Sequence, residues 1–434
     1  MTPDPTWPAT SVDRLAGVPW GALRPFAAAL DAPLARVLEG APAERVLDRF
    51  LRERRDLRAE ERCAAAEAVF GVGLWRRRLR HHAGAEASGR LLLASLLRDL
   101  AGRPDAEALC GLAPGALPAP VPPPRDLAAF YSLPDWLAAV IRREAGEGAA
   151  VLADALDRPG PIHLRANRAR IDRESLALRL ADEGVRTRPG LLAPDALEVT
   201  SPRPNLLALA SLREGLAEVQ DEGSQLLGEA VAAGAGEEVL DLCAGAGGKA
   251  LQLAAAVGPS GAVHALDPDA ERLARLGARA ARAGAPWVRL HGPEIPTGLL
   301  VDRALVDAPC SELGALRRGP DLRFRIDPGG FAAHPALQLR LLERAAGCLR
   351  PGGRLVYATC TFRREENEEV ALAFEGRRPD LERVPALPPG LAVARNGEAP
   401  RLLGADGFLR SWPHRHGTDG FFAAAWVRRR AGGT

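Results

Sequence analysis

A glycine-rich stretch, CAGAGGKA at residues 243–250, contains the only lysine of the chain, Lys249; every other basic residue is an arginine. Glycines at a turn between a strand and a helix let the backbone approach a ligand closely. A compact ammonium on a flexible stem reaches places that a planar guanidinium does not fit. The stretch therefore indicates a ligand-binding turn in which Lys249 points towards the ligand or a reactive group.

The turn is compatible with more than one ligand. A phosphate-binding P-loop is disfavoured, because Cys243 replaces its first glycine and Ala250 replaces its hydroxyl residue. The pattern G-x-G-x-x-A starts at Gly245, and Asp267 follows the next predicted strand, where an acid binds ribose hydroxyls. A nicotinamide dinucleotide and S-adenosylmethionine both carry an adenosine ribose. On this motif alone the two cofactors are equally favoured.

Two cysteines each follow an apolar predicted strand: Cys310 in VDAPCSELG and Cys360 in YATCTFRREENEE. The carboxyl ends of parallel strands meet at one edge of a sheet, where ligands bind. A single cysteine at such a place is most often a small core residue. Two of them at neighbouring strand ends, opposite a cofactor turn, favour a chemical role for both thiols.

Methylation of carbon 5 of cytosine is a reaction that needs such a pair. Carbon 5 is a poor nucleophile until a thiolate adds to carbon 6, and the thiolate must leave again when carbon 5 loses its hydrogen. Lys249 could favour the thiolate. Asp307 is a candidate for binding the amino group and ring nitrogen 3 of the base. The residues alone do not rank the two cysteines.

At these motifs the sequence resembles the RsmB/Sun/NSUN family of RNA cytosine-5 methyltransferases, most closely its bacterial RsmB-like members, from about residue 125 to the C-terminus. The motifs are EVQDEGSQL (218–226), VLDLCAGAGGK (239–249), ALD (265–267), DAPCS (307–311) followed by RRGPDLRFR, YATCTFRREENEE, and PHRHGTDGFF (413–422). The resemblance implies S-adenosylmethionine as the cofactor and RNA as the substrate, with ribosomal RNA favoured over transfer RNA.

Site residues follow from the same resemblance. It implies that Cys360 is the nucleophile and that Cys310 assists product release, with Asp307 and Lys249 also in the catalytic site. It further implies a methyl-donor site formed by Cys243, Ala244, Gly245, Ala246, Gly247, Gly248, Lys249, Asp267 and Asp307.

Three positions depart from the family pattern. Ala246 replaces a proline of the cofactor turn, and Glu312 replaces a glycine two residues after Cys310. Pro293 stands where the family has an acid on the adenine side, and Glu294 is a candidate shifted by one position. These changes leave open the alternative of weak binding of the methyl donor or of an inactive relative, and Glu312 adds a negative charge beside Cys310.

Several arginines are candidates for RNA contact, since phosphates and splayed-out bases are what proteins recognise in RNA. The predicted RNA-binding residues are Arg165 and Asn167 in PIHLRANRAR and Arg317, Arg318, Arg323 and Arg325 in RRGPDLRFR. Arginine runs at residues 52–58 and 76–80 predict a further phosphate-contacting face.

From about residue 217, apolar strands alternate with helices, which predicts an α/β fold with a mostly parallel sheet, and the resemblance implies a Rossmann-like class I methyltransferase. We predict a helical domain over 1–111, with a loose NusB-like resemblance, and a proline-rich linker over 112–126. A small α+β module over 127–216 and a catalytic domain over 217–430 follow. The motif GTDGFF is expected to form a hairpin that closes the sheet edge.

Bulk properties narrow the function classes. The 434 residues carry 47% hydrophobic and 26% charged side chains, with no apolar run long enough to span a membrane. Six cysteines without C-x-x-C spacing argue against a zinc site or a disulfide framework. We expect a cytoplasmic monomer without metal. Two rival functions remain: a nicotinamide oxidoreductase, and an RNA-binding assembly factor with a decayed donor site.

Overall fold

The computed structural model describes residues 7–8, 10–201, 204–389, 391 and 402–430. The chain forms two compact units. The first, here called the helical unit, is Met1–Pro159 together with Leu316–Pro328, and the second, the α/β unit, is Gly160–Ala315 together with Gly329–Thr434. Among the described residues, none of the helices has the length and apolar character that a membrane span requires.

Amphipathic helices build the helical unit. Val46, Leu47 and Phe50 of its third helix are buried, whereas Arg49 and Arg52 on the other face are exposed, as the spacing of three and four residues predicts. The helices are α1 (Thr10–Asp13), α2 (Asp31–Leu38), α3 (Ala43–Glu53), α4 (Ala59–Ala83), α5 (Gly89–Ser95), α6 (Ala106–Leu109), α7 (Leu127–Phe130), α8 (Asp135–Ala145) and α9 (Ala149–Leu156).

The boundary between the helical unit and the α/β unit lies at a different place from the domain boundary predicted from the sequence. Helices α7 to α9 follow the proline-rich stretch but belong to the helical unit, not to the α+β module expected over 127–216. Long-range hydrogen bonds account for this placement. Asp154 in α9 accepts bonds from Thr10 Oγ1 (2.6 Å) and Ser11 N (3.0 Å), and the Tyr131 hydroxyl donates to Pro8 O (2.6 Å).

The arginine run at 76–80 does not form the expected phosphate-contacting face. Arg76 and Arg78 are buried. Arg76 Nε donates to Gly73 O (3.0 Å), and the guanidinium of Arg78 lies over the ring of Phe130 at 4.3 Å. Burial lowers the pKa of Arg76 to about 10. These two side chains therefore stabilise helix packing, a role that sequence spacing alone does not separate from an exposed basic face.

The segment Leu316–Pro328 follows the Cys310 motif in sequence but folds with the N-terminal helices. Arg323 is fully buried, and its Nη1 donates to Asp157 Oδ1 at 2.6 Å. Asp321 Oδ2 accepts from Ala43 N (3.2 Å) at the start of α3, and Arg76 lies 4.3 Å from the Phe324 ring. The structure thus corrects the predicted RNA contact of Arg323, whose charge is neutralised inside the unit.

The first part of the α/β unit is a small antiparallel sheet. Its strands pair in the order β2-β3-β1-β4, and Asp172 caps the helix after β1 by accepting a hydrogen bond from Ser175 N (2.7 Å). The elements are β1 (His163–Ala166), α10 (Arg173–Asp182), β2 (Thr187–Pro189), β3 (Ala196–Val199), α11 (Ala210–Arg213) and β4 (Ala217–Val219).

The second part confirms the predicted α/β fold with a mostly parallel sheet, to which β10, β11 and β12 add antiparallel pairs. Its eight strands have the order β10-β12-β9-β8-β5-β6-β7, and β11 pairs with β12. The strands of this part are β5 (Glu238–Asp241), β6 (Ala262–Leu266), β7 (Val288–His291), β8 (Val301–Asp307), β9 (Leu349–Thr359), β10 (Leu381–Val384), β11 (Leu409–Ser411) and β12 (Phe421–Arg428). Its helices are α12 (Glu222–Ala230), α13 (Gly248–Val257), α14 (Ala270–Ala283), α15 (His334–Gly347), α16 (Glu368–Arg377) and α17 (Pro413–His416).

GTDGFF leads into β12, which pairs antiparallel with β11 as the expected hairpin requires, but β12 lies inside the sheet and not at its edge. β12 runs antiparallel between β9 and β10. Its residues from Phe421 to Trp426 are buried, so side chains of this strand are covered on both faces of the sheet. An alanine-rich strand that is apolar on both faces requires such an interior position.

We expect Asp157→Asn to destabilise the helical unit strongly. The substitution leaves the buried guanidinium of Arg323 without its counter-charge, which typically lowers the free energy of unfolding by about 3–5 kcal/mol. Urea unfolding of the full chain measures the change. Asp56→Asn is the matched control, because Asp56 pairs with Arg54 at an exposed position and its loss should cost about 1 kcal/mol or less. Equal effects of the two substitutions would contradict the assignment.

Candidate active site

The glycine-rich turn between β5 and α13 has the backbone that its sequence predicts. Gly245 and Gly247 have φ of +55° and +92°, in the left-handed region. A Cβ at Gly247 would lie 2.1 Å from Leu276 Cδ1, so a larger residue there would both strain the left-handed backbone and displace Leu276. Gly245 N donates to Asp267 Oδ2 at 2.9 Å. The turn is therefore tied to the acid at the end of β6.

A cavity of about 410 Å³ opens at the carboxyl ends of the parallel strands. This volume lies in the range of small-molecule and cofactor sites. The lining brings together all the residues predicted for the donor site and both cysteines; it comprises Cys243, Ala244, Gly245, Ala246, Gly247, Gly248, Lys249, Asp267, Asp307, Cys310 and Cys360, with Gln220, Ser224, Asp241, Arg272, Ala308, Pro309 and Glu312.

Asp241 is a functional candidate that the sequence analysis did not single out. It ends β5 immediately before the turn, and only 1% of its surface is exposed. Neither carboxylate oxygen has a hydrogen-bond partner within the described part of the chain. Burial, together with the charge of Asp307, raises its pKa to about 7. A buried, unpartnered acid in a cavity favours a ligand with positive charge.

Lys249 bonds to an acid of the same cavity. Its Nζ donates to Asp307 Oδ2 at 2.7 Å. Burial lowers the pKa of Lys249, but the charge and hydrogen bond of Asp307 outweigh this effect, so that the pKa lies above its usual value. The ammonium is therefore held against Asp307. Lys249 also interacts electrostatically with Cys360, as its expected role requires, although the described contacts include no direct hydrogen bond between the two side chains.

The two cysteines face each other across neighbouring loops, with Sγ atoms 3.5 Å apart. The hydrogen bond to Cys310, burial, and the charges of Asp307 and Glu312 raise the pKa of Cys360 well above its usual value. Before a ligand binds, Cys360 is therefore held as a thiol. A cation bound in the cavity would lower this pKa, because it stabilises the thiolate.

Glu312 has φ of +56°, a conformation that residues other than glycine rarely adopt. Its position is the one where the family has glycine, so the backbone path is kept although the residue has changed. The carboxylate lines the cavity beside the cysteines. Of the other departures, Ala246 lines the cavity, whereas Glu294 is 90% exposed and lies near Arg344.

Arg165 and Asn167, predicted to contact RNA, are buried inside the α/β unit. Arg165 Nη1 donates to Gly248 O of the cofactor turn (2.7 Å) and to Gln220 Oε1. Asn167 Nδ2 donates to Gly215 O (2.9 Å) and Ala283 O (3.0 Å). These contacts correct the expected role, because they make both residues supports of the fold. Their burial depends on strand register, which the motif does not reveal.

The arginines of the RRGPDLRFR loop fall into two groups. Arg317 is buried like Arg323, which corrects its predicted RNA contact as well. Arg318 and Arg325 are exposed. Only the latter two present charge at the surface.

The glycine turn, the acids at successive strand ends and the mostly parallel sheet define a Rossmann-like domain for an adenosine-containing cofactor, and the facing thiols of Cys310 and Cys360 favour an S-adenosylmethionine-dependent class I methyltransferase. Comparison with protein families narrows the class. Residues 230–427 match the family model of the 16S rRNA methyltransferase RsmB/F, and residues 133–205 match the ferredoxin-like domain of RsmF/B-like methyltransferases. The chain belongs to this family of ribosomal RNA methyltransferases, which excludes the nicotinamide oxidoreductase.

Individual relatives agree with this membership. A Bacillus subtilis protein named "Probable ribosomal RNA small subunit methyltransferase B" is 32% identical over 318 residues, covering 71% of this chain and 69% of the relative. A methyltransferase homologue from Pyrococcus horikoshii has a solved structure with a TM-score of 0.58 and 26% identity, covering 70% of this chain and 98% of its own. The crystal structure of PH0851 shares the fold, with a TM-score of 0.74 at 23% identity and coverages of 94% and 98%.

We expect Glu312→Gln to shift the alkylation of Cys360 to lower pH. The Glu312 charge raises the pKa of Cys360, so its removal lowers that pKa and increases the thiolate fraction at a given pH. Because Glu312 is exposed, the increase in rate below the pKa should be about two- to fivefold. Iodoacetamide labelling followed by mass spectrometry measures it. Glu294→Gln, which removes an acid outside the cavity, should leave the profile unchanged; an unshifted profile for Glu312→Gln would refute the assignment.

Lys249→Arg is expected to reduce methyl transfer to RNA about tenfold or more. The forked guanidinium is broader than the ammonium that occupies this buried position, and a displacement of about 1 Å at a catalytic group lowers rates strongly. Initial rates with labelled S-adenosylmethionine measure the loss. Arg275→Lys, an exchange of the same two residue types at an exposed position of α14, should retain the rate. Full activity of Lys249→Arg would show that only the charge matters.

Proposed function

We propose that this protein methylates carbon 5 of a cytosine in small-subunit ribosomal RNA, through a covalent bond between Cys360 and the base and release assisted by Cys310. The observation that carries the proposal is the pair of thiols 3.5 Å apart at the rim of the donor cavity. The name of the Bacillus subtilis relative supports the small ribosomal subunit as the substrate class.

The residues of the cavity fit S-adenosylmethionine. When bound, this cofactor supplies a methyl group on a positively charged sulfur. Asp267 follows β6, where an acid takes ribose hydroxyls, and the turn from Gly245 to Gly248 leaves room for close backbone approach. Asp241 offers a buried carboxylate without a partner in the described chain, as a positively charged ligand requires.

Cys360 begins the reaction by adding to the base. A bond forms between its Sγ and carbon 6, the electrons of the carbon 5–carbon 6 double bond move towards carbon 5, and carbon 5 becomes nucleophilic. The thiol proton passes to ring nitrogen 3 of the base, with Asp307 as its carrier, and its loss is an expensive part of this step because the pKa of Cys360 is raised. Asp307, oriented by Lys249, is the candidate for holding the amino group and ring nitrogen 3 of the cytosine.

Cys310 completes the reaction. After methylation, carbon 5 still carries its hydrogen, and the proton must leave so that the double bond forms again and the bond from carbon 6 to Cys360 Sγ breaks. Cys310 lies next to the sulfur that departs. We assign it the role of assisting this elimination.

Arg318 and Arg325, which are exposed, remain our candidates for contact with the phosphates of the RNA.

Cys310→Ala protein should accumulate a covalent complex with RNA. Addition by Cys360 is retained in this variant, while the elimination is slowed, so the adduct survives on a denaturing gel. The substrate is total RNA from a strain that lacks this protein, incubated with S-adenosylmethionine. Sequencing of the trapped RNA then identifies the target cytosine.

The double variant Cys310→Ala, Cys360→Ala is the control, and it should form no adduct. An adduct that persists in the double variant would exclude Cys360 as the nucleophile. RNA binding without any adduct or methyl transfer would favour the assembly factor with a decayed donor site.

A further inference from the structure

Two consecutive residues, Glu366 and Asn367, have buried side chains that the proposed reaction does not use. They follow Cys360 in the motif YATCTFRREENEE and precede α16. Both are polar, and a polar side chain is retained in a protein interior only where its hydrogen bonds are satisfied. Their partners therefore indicate what the two residues do.

Glu366 holds the residues on both sides of Cys310. Its Oε2 accepts a hydrogen bond from Ser311 N at 2.9 Å. Gln338 Nε2 donates to the same Oε2 (3.3 Å) and to Pro309 O (2.9 Å). The residue before Cys310 and the residue after it are thus both tied to this carboxylate, one directly and the other through Gln338.

Asn367 holds the residues on both sides of Cys360 in the same way. Its Nδ2 donates to Thr361 O at 3.0 Å, and its Oδ1 accepts from Thr359 Oγ1 at 2.5 Å. Thr359 and Thr361 are fully or almost fully buried. The loop that carries Cys360 is therefore fixed on either side of the cysteine.

The two loops are also linked directly. Ser311 Oγ lies 2.8 Å from Thr361 Oγ1, which joins the residue after one cysteine to the residue after the other. Gly314 N donates to Cys360 O at 3.0 Å. Because Glu366 and Asn367 are adjacent, their Cα atoms are about 3.8 Å apart, and the loops that they hold cannot separate without breaking these bonds.

The Glu366 carboxylate has two further hydrogen-bond partners. Arg363 Nη1 donates to its Oε1 at 2.9 Å, and His334 Nδ1 lies 2.8 Å from its Oε2. A fully buried carboxylate with several donors is rigid, since each bond restricts the others. This network keeps Glu366 in one position.

We propose that Glu366 and Asn367 are positioning residues that set the separation of the two reactive sulfurs, Glu366 by placing Cys310 and Asn367 by placing Cys360. The proposal rests on the covalent function proposed above. Neither side chain contacts a reacting atom. Because each residue holds a different cysteine, Glu366 governs release from the base and Asn367 governs addition to it.

Single-turnover reactions of Glu366→Gln and Asn367→Asp with RNA and S-adenosylmethionine test this division. In Glu366→Gln an amide replaces acceptor oxygens, Cys310 is displaced, and the adduct should accumulate about fivefold over the native protein. In Asn367→Asp an oxygen faces Thr361 O, Cys360 is displaced, and the adduct should form about fivefold more slowly without accumulating.

The same substitutions in the Cys310→Ala background separate positioning from general loss of structure. Release is already slow there, so Glu366→Gln should add no further effect, whereas Asn367→Asp should still slow adduct formation. Glu368→Gln is the matched control: Glu368 is the next residue in sequence and bonds to Arg410 (2.7 Å), away from the cysteine loops. It should leave both steps as in the native protein.

Two further variants cover a failure to fold, which circular dichroism detects. Gln338→Leu removes the bond to Pro309 O and should act like Glu366→Gln, while Thr359→Val removes the bond to Asn367 and should act like Asn367→Asp. If Cys310→Ala forms an adduct but the two groups of variants slow addition and release alike, the positioning roles are wrong and the covalent mechanism stands. If Cys310→Ala forms no adduct, both proposals fail.

Discussion

Negative charge at the ends of the parallel strands is the constraint on which the site depends. Asp241, Asp267 and Asp307 end or follow β5, β6 and β8, and they meet at one cavity with a single ammonium, that of Lys249. Burial, together with repulsion from Asp307, raises the pKa of Asp241 at this cavity. These carboxylates create an electrostatic field in the cavity that favours a cationic ligand. The thiol of Cys360 is exposed to that field before any ligand arrives.

The same field links cofactor and chemistry. The hydrogen bond to Cys310 and burial raise the pKa of Cys360, and the acids that make the cavity attractive to a cation add to this shift. A bound cation would offset the part of the shift that comes from the acids. Under the proposed mechanism, a bound methyl donor would therefore make the Cys360 thiol easier to deprotonate.

Local sequence patterns were sufficient for part of this structure. The glycine spacing predicts the turn, because left-handed backbone is required at Gly245 and Gly247. The position of Cys310 and Cys360 after apolar strands predicts their meeting, because parallel strands share one carboxyl edge. The alternation of strands and helices likewise predicts the parallel strands at the centre of the sheet.

The features that local sequence patterns did not predict depend on contacts between residues that are distant in sequence. Burial of Arg165 and Arg323 depends on partners that are distant in sequence, and arginine in a polar motif looks the same whether it faces solvent or the protein interior. The strand β12 was misplaced for a related reason, since pairing with β10 on one side and β9 on the other has no local signature. Asp241 was missed because an acid that ends a strand is common, and only its lack of partners in the described chain distinguishes it.

The segment Leu316–Pro328 belongs to the helical unit, and this limits where the chain can be cut into separate domains. The family's methyltransferase region spans 230–427, yet this segment inside it packs with helices from the other end of the chain. A chain cut at Pro159 would leave Arg323 without Asp157 and would uncover the side chains that rest on α3 and α4. The two units therefore cannot be exchanged as independent modules. A gene fusion or truncation placed at Pro159 would separate the segment Leu316–Pro328 from the helices with which it packs.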